Sequence, residues 1–146
     1  MKRAAGVDVL VTVVGAPLAP RIEAWTRILL SKAGAKRPLP LSILLCGDRR
    51  MRTLNRAWRG RDVPTDVLSF SSGEKEFLGD IVIDVPYAAR QARRRGHALA
   101  REVQILLAHG LLHLLGYDHE EDDGTMFRLQ RRILLAAFGE GPDGVP

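Results

Sequence analysis

Apolar positions change their spacing several times along the chain, and each change marks an element. Val7-Asp8-Val9-Leu10-Val11-Thr12-Val13 alternates as a half-buried strand does. Lys2, Arg3 and the apolar run up to Val14 loosely mimic an export signal, but Asp8 interrupts the run and the alternation favours the strand. After Pro17 and Pro20, the residues Ile22, Trp25, Ile28 and Leu29 recur at helical spacing to about Lys32, with Trp25 as a core anchor. Residues 34–40 form a loop, and Leu41–Cys46 is a short β-type run. Asp48 is expected to cap a helix that carries Met51, Leu54 and Ala57 inward and arginines outward. Thr65–Phe70 and Gly79–Asp84 read as neighbouring strands joined by the polar segment Ser71–Leu78. Pro86 opens a helix that runs to about Arg95, where Gly96 breaks it.

A further helix is expected from about Ala98 to Leu115, with Leu99, Val103, Leu106, Gly110 and Leu114 facing a core. Asp122 or Asp123 would cap the last helix, whose apolar face is Met126, Leu129, Ile133, Leu134 and Ala137. Gly139 closes it, and the Gly/Pro tail over 139–146 is expected to be disordered. The sum is an α+β fold in one domain spanning 1–146, with a mixed sheet of about four strands and helices packed on it. The helix near Leu115 should be the buried central one, because Ile105–Leu115 leaves only one polar stripe.

That stripe carries the chemistry. His109 and His113 are four residues apart, so on a helix they stack one turn above the other on one face. Gly116 supplies the left-handed residue that ends such a helix, and the turn through Tyr117 and Asp118 can swing His119 back toward the first two rings. Three imidazoles converging with a fourth position open are the arrangement of a catalytic zinc. The plainer alternative is three histidines scattered on an amphipathic helix. Zinc proteases share these offsets but need a glutamate after the first histidine, where this chain has Gly110. Peptide hydrolysis by that route is therefore not expected.

Glu102 lies seven residues before His109, within about 20° of it around a helix. It is a candidate outer partner of a metal ligand or a distant proton acceptor, with a solvated surface glutamate as the rival reading. Asp118 could orient the site or simply stop the helix. His97, just after Gly96, is expected to be a cap or a surface group.

Composition narrows the partners. The 146 residues carry a net charge of +5, with a pI near 10.0, which suits a polyanionic partner and an ordinary basic enzyme alike. The single cysteine, Cys46, excludes an internal disulfide framework and a cysteine-based zinc site. No run approaches the ~18 apolar residues of a membrane span, so a cytoplasmic protein is expected. Arg52, Arg56, Arg59 and Arg61 cluster around Trp58, and guanidinium groups hold phosphate bidentately. The run leads into the strand at Thr65-Asp66, so Arg59 is expected to reach the metal, with Arg56 and Arg61 as further RNA-binding candidates. Arg90, Arg93, Arg94 and Arg95 form another basic patch, open to salt-dependent binding of a nucleic-acid backbone but read first as a solvated helix end.

His-Gly-x-Leu-His-Leu-x-Gly-Tyr-Asp-His at 109–119 resembles the signature of the YbeY family of bacterial metal-dependent endoribonucleases. Leu54-Asn55, Arg59, Asp62, Thr65–Phe70, Gly79-Asp80-Ile81 and Gly96-His97 with Glu102 follow the family pattern in order over roughly 40–138. Trp58 stands where the family has tyrosine, and Ser71 where proline commonly follows the phenylalanine. The resemblance implies that His109, His113 and His119 bind one zinc ion or another divalent metal, and that Arg59 is needed for RNA cleavage. It implies a single-strand endoribonuclease acting on 16S rRNA 3′ ends and in ribosome quality control, with rRNA and the small subunit as partners. In such a mechanism the proton could go to hydroxide on zinc, to Glu102 through water, or to the substrate's 2′-hydroxyl. The rivals are a non-catalytic, zinc-stabilised rRNA-binding assembly factor and another zinc hydrolase such as a metalloprotease.

Overall fold

In the computed structural model, residues 11–14, 18–35, 40–118 and 123–140 are described. The expected first half of the N-terminal strand, Asp122, His119 and most of the tail lie outside them. The elements in chain order are β1 (Val11–Val14), α1 (Ala19–Lys32), β2 (Leu41–Cys46), α2 (Asp48–Arg59), β3 (Val67–Ser71), β4 (Gly79–Asp84), α3 (Val85–Arg95), α4 (Leu99–Leu114) and α5 (Thr125–Phe138). This is an α+β fold. Its sheet has the order β1-β2-β4-β3, with β1, β2 and β4 parallel and β3 antiparallel to β4.

Alternation along β2 sends Leu41, Ile43 and Leu45 into the main core and leaves the intervening residues half-buried. That core continues through Ile81 and Ile83 of β4 to Leu107, Leu111 and Leu112 of α4 and to Ile22, Leu29, Met126 and Ile133 of α1 and α5. A smaller cluster on the opposite face holds Met51 of α2 against Leu68 and Val82. β4 is thus covered on both sides, and its near-continuous apolar run Ile81-Val82-Ile83 follows from that. The α4 helix lies in the middle, in contact with α1, α3, α5, β3 and β4. Among the described residues, no helix is long and apolar enough to cross a membrane.

Helix ends depart from expectation at two places. Gly47, extended at φ −106°, holds the N-cap of α2, and Asp48 is the first helical residue. Its carboxylate accepts from Arg90 at 2.9 and 3.1 Å, so it is used across elements. At α5 the cap is Gly124, at φ +94°, while Asp123 accepts from Thr125 and Arg128 beside it. An arginine takes up the acid in both cases, Arg90 from a distant helix at Asp48 and Arg128 from the first turn of α5 itself at Asp123.

Candidate metal and nucleic-acid site

Gly110 lets α4 lie close against the sheet: a Cβ there would sit 3.2 Å from the fully buried Ile81 side chain. This close seating fixes the polar stripe of α4 along a cleft of about 880 Å³. His109 and His113 line that cleft, with their Nε2 atoms 3.2 Å apart and ring centroids 4.7 Å apart.

The other nitrogen of each ring explains the pairing. After α4 the chain turns at Gly116, with φ +103°, and Tyr117 N donates back to the Leu112 carbonyl at 3.0 Å. This brings the Tyr117 carbonyl to 3.0 Å from His113 Nδ1. A carbonyl only accepts, so Nδ1 carries the proton and Nε2 presents a lone pair. From α5, Gln130 Oε1 stands 2.8 Å from His109 Nδ1 and does the same. Two imidazole lone pairs aimed at one another repel unless a cation or a proton lies between them. The donor set therefore fits a divalent ion. His119 lies outside the described residues, and among those described no group of three His, Cys, Asp or Glu side chains assembles. Asp118 lines the cleft beside the pair.

Arg59 also lines the cleft. It is the last residue of α2, and its Nη2 donates to the Ser69 carbonyl of edge strand β3 at 2.9 Å. Its guanidinium lies 5.1 Å from the Phe70 ring centroid. Arg59 thus shares the cleft with both histidines, as the sequence suggested. Arg56 and Arg61 do not line it; Arg56 is 4.0 Å from Asp62, which Arg52 also holds through two hydrogen bonds.

Glu102 is neither solvated nor bonded to an imidazole of the cleft. It is fully buried and accepts from Arg95 at 2.9 Å, Gln91 at 3.0 Å and His97 Nε2 at 2.6 Å. His97, expected as a cap or a surface group, is buried against this carboxylate, and Ala98 holds the N-cap of α4. A carboxylate with no access to water requires such donors. Gln91 also donates to Asp66, whose other oxygen accepts from Val67 N at 2.7 Å, so the network reaches the start of β3.

The anchoring of Arg95 on Glu102 is what sequence reasoning missed. Read first as part of a solvated helix end, Arg95 instead lines the cleft with its guanidinium held by that carboxylate. A signal was present: a glutamate in the first turn of a buried helix demands cations, and Arg95, His97 and Arg101 all lie within seven residues of it.

The family model for "Endoribonuclease YbeY" matches residues 13–137. The chain belongs to the YbeY family. It is 50% identical over 132 residues to the endoribonuclease YbeY of an Anaeromyxobacter strain, covering 84% of this chain and 68% of that one. The Aquifex aeolicus relative of the same name is 47% identical over 126 residues, covering 82% and 83%, and that of Geobacillus kaustophilus 44% over 140, covering 83% and 88%. The fold is similar to a Thermotoga maritima protein solved in solution, with a TM-score of 0.67 and 27% identity over 89% of this chain and 90% of that one.

Proposed function

We propose that the cleft is the catalytic site of a single-strand-specific, metal-dependent endoribonuclease that acts in the cytoplasm on 16S rRNA 3′ ends and in ribosome quality control, with rRNA of the small subunit as its partner. Membership of the endoribonuclease YbeY family supports the reaction class. The single observation that carries the site is the pair of imidazole Nε2 atoms, 3.2 Å apart, in a cleft that Arg59 also lines.

His109 and His113, joined by His119, would hold one zinc or similar divalent ion. When bound, such an ion polarises a phosphoryl oxygen. Gln130 and the Tyr117 carbonyl keep the two ring protons on Nδ1 and so hold the rings in the ligating tautomer. Arg59 spends one N–H on Ser69 and keeps the others for phosphate oxygens, whose negative charge grows during attack at phosphorus. The Phe70 ring and the Ser69 carbonyl hold that guanidinium before substrate arrives, which lowers the ordering cost. Arg95, fixed by Glu102, offers a second phosphate contact in the same cleft.

Metal analysis and cleavage of an rRNA fragment, run on wild type, His113→Ala and Arg59→Glu, test this reading. His113→Ala should lose metal and cleavage together. Arg59→Glu should keep its metal and lose cleavage by about 10²-fold or more, the scale of removing one preorganised charge donor. Full metal content in His113→Ala would remove the imidazole pair from the site.

A further inference from the structure

Trp58 is 67% exposed, the most open large apolar side chain among the described residues. It sits one position before Arg59 at the end of α2. Its ring packs on one neighbour, Phe70, at 5.9 Å between centroids and 56° between planes. Phe70 is the same ring that Arg59 covers at 5.1 Å. Trp58 is therefore tied through one half-buried phenylalanine to the guanidinium that lines the cleft, while much of the indole remains open to solvent. Arg56 and Arg61 are exposed on either side of it, and the chain turns sharply between them at Gly60, where φ is +72°.

We propose that Trp58 is a stacking platform for an unpaired base of the RNA strand whose backbone Arg59 holds, a subsite at the mouth of the cleft that rests on the endoribonuclease reading above. An indole held on edge support offers a flat apolar face, and every base has a π-face to lay on it. The surrounding positive charge selects a polyanionic strand over an apolar ligand. Such a platform would grip single strands and disfavour a duplex, whose bases are already stacked on each other. It would tolerate any base, because stacking reads no hydrogen-bond pattern.

The test compares wild type, Trp58→Ala and Trp58→Phe on a short single-stranded 2′-O-methyl oligonucleotide and on the same strand made abasic, with binding followed by anisotropy. Trp58→Ala should bind the ordinary strand about tenfold more weakly and the abasic strand unchanged, while Trp58→Phe recovers most of the loss. Tryptophan emission should be quenched by the ordinary strand in the wild type, because the second tryptophan, Trp25, is buried. In cleavage assays Trp58→Ala should raise KM and leave kcat close to wild type. Equal affinities of wild type and Trp58→Ala for the ordinary strand, or a loss of equal size on the abasic strand, would overturn the platform while leaving the nuclease intact. A wild type that neither binds nor cleaves single-stranded RNA would overturn both readings.

Discussion

Asp84 shows how one carboxyl can serve the fold and strain it at once. Its Oδ1 caps α3 by accepting from Tyr87 N at 3.1 Å, and its Oδ2 is buried without a donor. Burial, and then the neighbouring Asp48, push this carboxyl up to about 7. Arg90 pulls Asp48 the other way, below the ordinary carboxylate range. Between that range and about pH 7 the folded chain thus binds more protons at Asp84 than the unfolded chain does. Stability from this group is complete at acid pH and is lost as pH rises through about 7. Asp84→Asn keeps an equally good cap and removes the titration. Its melting temperature should exceed that of wild type at pH 8 by about 2–4 °C for each kcal/mol recovered, with the gap shrinking toward pH 5. A variant less stable than wild type at pH 8 would contradict the raised titration of Asp84. At this scale the facing histidine pair, Arg59 in the same cleft and the missing zincin glutamate were legible in the sequence. Glu102 and Arg95 were not, because their roles depend on a contact made across the Gly96 break, where helical spacing no longer predicts direction.

Among the elements, α4 determines the site, and its seating on β4 depends on having no side chain at position 110. The spacing of Leu99, Val103, Leu106 and Leu114 announced the helix, and its bounds were read to within a residue or so. What spacing could not say is how near the sheet would stand. Restoring the glutamate that a zinc protease would carry is a direct test. In Gly110→Glu the new Cβ would press on Ile81 at 3.2 Å and its carboxylate would enter the core. Overpacking alone costs roughly 1–3 kcal/mol, and an unpaired buried acid adds to it. Urea denaturation should show a loss of at least ~2 kcal/mol, with no casein cleavage gained. A stable Gly110→Glu protein would mean that α4 is not pinned to β4 at this point.

For the molecule as a whole, the hairpin of β3 and β4 was readable from two alternating runs around a polar turn. The order β1-β2-β4-β3 was not, since strand order is set by which helices cover which face. Charge acts at this scale too. Arg59 and Arg95 line one cleft, and Arg56 and Arg61 are exposed close to Arg59 in sequence, within a chain of net charge +5. If about three phosphates are neutralised, log affinity for a single strand should fall with log salt at a slope of about −2. Arg95→Gln should flatten that slope by about 0.7, as anisotropy titrations across a salt series would show. An unchanged slope would place Arg95 outside the strand's path.

The bond from Arg59 to the Ser69 carbonyl has a consequence beyond chemistry. β3 is the outermost strand next to the cleft, and an open flank of this kind invites another chain to zip on. A charged fork seated on that flank acts as a guard against self-assembly. Substitutions at Arg59 should therefore be checked for clumping before any lost turnover is blamed on the reaction itself.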